Sequence, residues 1–85
     1  MRKMKYIVFE NRDGDESLYL FPESKTHDEF SKVFAYLKPV RAGFVSMGDD
    51  DKLYCNGESI SLKLRSDSFK DNMLLYRQLG QGFFT

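Results

Sequence analysis

The sequence predicts an α+β domain: a mostly antiparallel sheet of about five strands in the order β-β-α-β-β-β-α, with two helices packed on one face of it. Two observations carry this. Short apolar or alternating segments recur along the chain, separated by turn chemistry such as Asp13-Gly14 and Asn56-Gly57, and strands joined by tight turns pair antiparallel. Two further segments, after Thr26 and after Ser66, carry apolar residues at helical spacing.

Lys5-Tyr6-Ile7-Val8-Phe9 is apolar on both faces and rich in β-branched and aromatic side chains, so it reads as a central strand. The polar stretch from Asn11 to Glu16 turns the chain, and Leu18-Tyr19-Leu20-Phe21 returns as its hairpin partner, ended by Pro22. Thr26-His27-Asp28-Glu29 has the form of a capping box. Phe30, Val33, Phe34 and Leu37 follow at helical spacing, which predicts a helix over about residues 27–37 stopped by Pro39. Val40 to Met47 reads as a strand in which Gly43 marks a bulge or a close backbone contact. Leu53-Tyr54-Cys55 is a short strand, Asn56-Gly57 a two-residue hairpin turn, and Ile60, Leu62 and Leu64 alternate with polar residues as a half-buried last strand would. Ser66 or Ser68 caps a second helix, whose inward stripe is Phe69, Met73, Tyr76 and Leu79, widened by Leu75. Gly80 ends it, and residues 81–85 form a tail whose Phe83-Phe84 pair docks on the body or stays loose.

Composition narrows the function. The 85 residues form one domain, 1–85, and with 41% hydrophobic and 15% aromatic residues they supply a core but little room for a deep substrate cavity. Thirteen basic residues against thirteen acidic ones leave no net charge and no electrostatic footprint for nucleic acid. The single cysteine excludes an intrachain disulfide and CxxC-type zinc sites. No stretch approaches the ~20 apolar residues of a membrane span, and no signal peptide is expected. The expectation is a cytoplasmic protein that does not engage membranes.

Five constellations call for chemical scrutiny. Asn11, Asp13 and Asp15 alternate as in a calcium loop, but Glu16 and Pro22 stand where the loop needs glycine and a bidentate glutamate. The Asp49-Asp50-Asp51 run reads as a polar turn, since consecutive side chains diverge. Gly57-Glu58-Ser59-Ile60-Ser61 approaches a nucleophile elbow, yet the serine begins an alternating strand instead of standing on a strand-to-helix turn. Cys55 and His27 are the thiol and imidazole available for nucleophilic catalysis, which requires them within about 3 to 4 Å of each other. An unpaired cysteine in a short strand more often packs as a small hydrophobe. For nucleic acid, Tyr6, Tyr19 and Tyr54 would have to line one sheet face, without the basic and glycine-rich pattern such surfaces carry.

Phe21-Pro22-Glu23-Ser24 followed by His27, then Arg41-Ala42-Gly43-Phe44-Val45, then Cys55-Asn56-Gly57-Glu58-Ser59-Ile60-Ser61-Leu62-Lys63-Leu64-Arg65-Ser66, together resemble a family of small uncharacterised proteins of proteobacteria and their phages and prophages. The resemblance runs from Lys5 to Gly80. It implies a compact bacterial or phage accessory protein and points to Glu23, Ser24, His27, Cys55, Gly57, Glu58, Ser59 and Ser61 as a site. The function expected is non-enzymatic protein interaction with an unidentified partner, with weak self-association through an exposed strand edge and with no cofactor or metal. The second reading is a small enzyme using Cys55 as nucleophile and His27 as base, with backbone amides near Gly57 as oxyanion donors. The third is a nucleic-acid-binding sheet surface.

Overall fold

The computed structural model describes residues 3–34 and 36–84, and for residues 80–84 the backbone alone. The architecture is α+β. Met4–Glu10 (β1) and Glu16–Pro22 (β2) form one hairpin, and Lys38–Met47 (β3) and Leu53–Asn56 (β4) form another. The four strands make an antiparallel sheet in the order β2-β1-β3-β4. His27–Ser31 (α1), prolonged by a 3-10 turn at Lys32–Phe34, connects the hairpins. Glu58–Ser59 (β5) and Leu64–Arg65 (β6) make a separate two-stranded ribbon, and Ser68–Phe84 (α2) closes the chain.

The pleat of β1 decides the layering. Tyr6 and Val8 point to one face and pack with Leu18, Val45, Cys55 and the α2 residues Leu74 and Leu75. Ile7 and Phe9 point to the other face, with Phe21 and Ala42, beneath Phe30 and Phe34 of the first helical segment and Leu62 and Leu64 of the ribbon. The helices therefore lie on opposite faces, not together on one as the sequence suggested. The apolar run of β1 is the reason: a strand buried on both sides needs a cover on each. Burying Ile7, Val8 and Phe9 contributes about 1.5–3 kcal/mol apiece.

Several local expectations are corrected. The alternating segment 59–65 is not a strand of the sheet. It doubles back at Ile60–Lys63, where the Ser59 hydroxyl accepts from the Leu62 amide at 3.2 Å and Lys63 takes φ 56°. The Ser66 amide and hydroxyl both donate to the Gly57 carbonyl, at 3.0 and 2.8 Å, and close the loop. These local bonds outweigh an extended pairing. Gly57, at φ +83°, accordingly turns the corner out of the sheet instead of joining two paired strands.

The first helix holds its Thr26–Glu29 capping box in both directions at 3.0 Å but becomes a 3-10 turn after Ser31. β3 starts earlier than expected, at Lys38. Pro39 is accommodated opposite Phe9 where the register slips, so its missing N–H disturbs no regular ladder.

The second helix is capped by Asp67, whose carboxylate accepts from the Lys70 amide at 3.1 Å, instead of by either flanking serine. It runs through Gly80 to Phe84, so the backbone of 81–84 is helical and not a tail; the docking of the Phe83 and Phe84 side chains lies outside the described residues. Its buried side is Asp71, Leu74 and Leu75, with Gln78 and Leu79 half-buried beside them; of the stripe the spacing predicted, Leu75 and Leu79 face the core while Phe69, Met73 and Tyr76 do not.

Candidate functional site

His27 opens α1 and is 5% exposed. Its ring stands edge-on to Phe21 and Phe44, with centroids 5.4 and 5.5 Å away, and its Nε2 lies 2.9 Å from the Gly43 carbonyl. A carbonyl only accepts, so Nε2 donates. Burial, with the nearby Lys5 ammonium, holds the imidazole below its ordinary pKa and so neutral near pH 7, even though the Gly43 bond acts the other way. The neutral tautomer therefore carries its proton on Nε2 and leaves a lone pair on Nδ1. His27 lines a cleft of about 440 Å³ together with Lys5, Thr26, Phe44, Glu58, Ile60 and Ser61. Of the residues the sequence singled out, His27, Glu58 and Ser61 thus converge. Ser59 is buried, with its hydroxyl 3.4 Å from that of Ser61, and a side chain at Gly57 would meet the Phe44 ring. Glu23 lines a different groove, with Met4, Leu20 and Leu53, and Ser24 sits exposed in the turn before α1.

Cys55 is on the other side of the sheet. Its side chain packs with Tyr6, Val8 and Leu75, whereas Phe44, one residue from its cross-strand partner Val45, faces His27. Burial and the neighbouring Asp71 carboxylate push the thiol up to about 12. The thiol–imidazole chemistry needs contact between two side chains that the sheet keeps apart. The aromatic reading fails in a similar way: Tyr6 is buried under α2, and Tyr19 packs against Phe9 and Phe34 under the opposite cover. Tyr54, the remaining one, bonds Asp50 in the β3–β4 turn. No common aromatic face exists among them.

The principal polar cluster is one the sequence reading missed. Asp71 is fully buried and accepts from the Tyr6 hydroxyl at 2.5 Å, from Arg41 Nε at 2.6 Å and from the Asp67 amide at 3.0 Å. The rest of the Arg41 guanidinium forks onto Glu16 at 2.6 and 3.0 Å, which holds the Glu16 carboxyl below its usual range. Burial, the Asp71 bond and its charge raise the Tyr6 phenol far above its normal value, so it stays protonated as a donor. The signal available was a lone arginine inside the apolar β3 segment and an aspartate three and four residues before Leu74 and Leu75.

Helix α2 also bonds to both edges of the sheet. On β2, the Gln78 amide accepts from Leu18 N at 2.7 Å and donates to Leu18 O at 2.8 Å. On β4, the Tyr76 hydroxyl accepts from Leu53 N and donates to Leu53 O, while Asn72 accepts from Cys55 N. These bonds occupy Leu18 on the β2 edge and Leu53 and Cys55 on the β4 edge, and leave the remaining edge groups of both strands open. α2 leaves three large apolar side chains to solvent: Phe69 is 76% exposed, Met73 61% and Tyr76 44%.

Among the described residues no three His, Cys, Asp or Glu side chains converge on a metal-sized site, and no helix is long and apolar enough to cross a membrane. Compared with protein-family models, with curated proteins and with solved structures, the chain matches none.

Proposed function

We propose that this protein is a non-enzymatic interaction module, a bacterial or phage-borne accessory protein of the cytoplasm, that engages its partner through the outer face of α2. The family resemblance suggests the source. The observation that carries the mode is the stripe Phe69, Met73 and Tyr76, set one helical face away from the buried Asp71 and the half-buried Gln78 and covered by nothing among the described residues. One flank of this stripe holds Lys70 and Arg77, exposed and without an ion-pair partner among the described residues. An apolar stripe flanked by two exposed cations suits an amphipathic segment bearing carboxylates.

The test is titration with a helical peptide carrying leucines at i, i+3, i+4 and i+7 flanked by glutamates, beside the same peptide with lysines. The acidic peptide should bind about tenfold or more tightly, consistent with the coupling of close charge pairs across an interface. Phe69→Asp should abolish binding while leaving unfolding unchanged within about 0.5 kcal/mol, since Phe69 supports nothing in the fold. Equal affinity for the two peptides overturns the reading, as does binding that survives Phe69→Asp. Concentration-dependent dimerisation abolished by the same substitution would overturn the acidic partner and assign the face to a second copy.

A further inference from the structure

Where the chain leaves the sheet, Asn56 is followed by Gly57, and the two are placed for a reaction of the chain with its own backbone. Asn56 is exposed and is the last paired residue of β4, a four-residue strand at the sheet edge, so fraying of one rung, Phe44 with Asn56, frees its backbone. Its side-chain amide makes one hydrogen bond among the described residues, from Nδ2 to the Ser46 hydroxyl at 3.4 Å. At that length the bond holds the group weakly. The Gly57 N–H donates to no acceptor among the described residues. The fold also requires glycine there: φ is +83°, and a Cβ would lie 3.1 Å from the Phe44 ring. An unhindered, unpaired backbone nitrogen therefore stands directly after a loosely held amide. The two other asparagines of the chain are held differently. Asn11 Oδ1 accepts from the Asp13 and Asp15 amides at 2.9 and 3.0 Å, and Asn72 Oδ1, on a helix, accepts from the Cys55 amide at 2.7 Å.

We infer that Asn56 is a site of spontaneous deamidation, and that its iso-aspartyl product unlatches the β5–β6 ribbon. The Gly57 nitrogen, losing its proton, attacks Asn56 Cγ. A new N–C bond forms, the Cγ–Nδ2 bond breaks and ammonia leaves, which closes a cyclic imide. Water then opens the imide at either carbonyl, to aspartate or to iso-aspartate, and no oxidant or cofactor is needed. Iso-aspartate carries one extra carbon in the main chain, inserted just ahead of Gly57. The Gly57 carbonyl accepts from both the amide and the hydroxyl of Ser66 and so holds the two ends of the ribbon together. A shifted corner withdraws that carbonyl, and Leu62 and Leu64 lose the latch that keeps them over Ile7 and Phe9.

The test ages the folded protein at neutral and at mildly alkaline pH and weighs its proteolytic peptides, since exchange of an amide for an acid adds about one dalton. Enzymatic methylation with a labelled methyl donor counts the iso-aspartate. Asn56 should convert about tenfold or more faster than Asn11, the worth of the two hydrogen bonds that restrain Asn11, and faster at the higher pH. In the iso-aspartyl form, amide exchange at Leu62 and Ser66 should rise by about tenfold or more while Tyr6 and Val8 in β1 stay protected. Asn56→Gln should not convert, and freshly prepared Asn56→Asp, which has the charge without the extra carbon, should leave exchange at Ser66 unchanged. Conversion of Asn56 no faster than that of Asn11 would overturn the site. Unchanged exchange at Ser66 in the iso-aspartyl form, or an equal rise in Asn56→Asp, would overturn the unlatching.

Discussion

Replacing Asp71 with alanine should destabilise this domain more than removing any other single polar side chain. The carboxylate is fully buried and holds the Tyr6 hydroxyl, Arg41 Nε and the Asp67 amide. Without it Arg41, whose side chain is 15% exposed, keeps only Glu16, and a buried phenol loses its acceptor. Breaking a buried ion pair from one side costs about 3–5 kcal/mol. The surviving Glu16 fork offsets part of that, while the orphaned hydroxyl adds about 1 kcal/mol. The expected net loss is about 3–4 kcal/mol. Against a total stability of roughly 4–13 kcal/mol for a chain of this length, that is about a quarter or more. Urea unfolding followed by circular dichroism measures it directly, and thermal unfolding should fall by roughly 15–30 °C. The double variant Arg41→Met/Asp71→Leu should recover most of the loss, because it removes both charges at once. A cost below about 1 kcal/mol for Asp71→Ala, or a double variant as unstable as the two single losses added together, would refute the argument that this buried pair orients α2.

Gly43→Ala should cost about 1–3 kcal/mol, because its methyl would meet the Asn56 carbonyl, Tyr6 and Ser66, whereas Gly14→Ala, in open space, should cost about 1 kcal/mol from its φ of +85° alone; equal losses in urea unfolding would contradict the close contact. Cys55 should react with iodoacetamide only as fast as the domain opens, its rate rising with urea; an apparent thiol pKa near 8.5 in the folded protein would be inconsistent with its burial. The Glu16 carboxyl, lowered on folding by Arg41, contributes stability that is present above the unfolded value of about 4.3 and lost as pH falls through its folded value, and Glu16→Gln should flatten that acid limb. His27 is lowered too, by burial, so the unfolded chain takes its proton first: stability should decline as pH falls below about 6.5 and level off under the folded pKa, and unfolding curves for His27→Gln should lack this step. Gln78→Ala bares the β2 edge at Leu18 and should produce self-association in sedimentation; a variant that stays monomeric would show that Gln78 does not guard the edge.

The fold class was legible from β1: four consecutive apolar positions, Tyr6 to Phe9, followed by turn chemistry make a central strand. The β1–β2 turn and the α1 cap were equally readable, since Asn11, Gly14, Thr26 and Glu29 act through bonds within five residues of themselves. Misreadings occurred where hydrogen bonds, local or distant, override the hydrophobic pattern. Alternation over 59–65 fits a strand, but Ser59 and Gly57 bond the segment to itself, and periodicity carries no information about a turn made by side-chain hydroxyls. Of the candidate site, His27, Glu58 and Ser61 were named and do meet, across 31 and 34 residues, whereas Phe44, Lys5 and Ile60, the walls that make the cleft, look like ordinary strand residues in sequence.

The rotation of α2 carries the most information about function. The helix owns two apolar faces, Leu74 with Leu75 and Phe69 with Met73, and hydrophobicity alone does not choose between them. Geometry does. Asp71, Asn72, Tyr76 and Gln78 each have a mate at a fixed point on the sheet, and only the orientation that buries Leu74 and Leu75 meets all four. With that orientation set by polar groups, stability makes no demand on Phe69 and Met73, and solubility argues against them. On the proposed reading, large apolar side chains that folding does not use make the side-chain surface of α2, more than strand addition, the means of recognition.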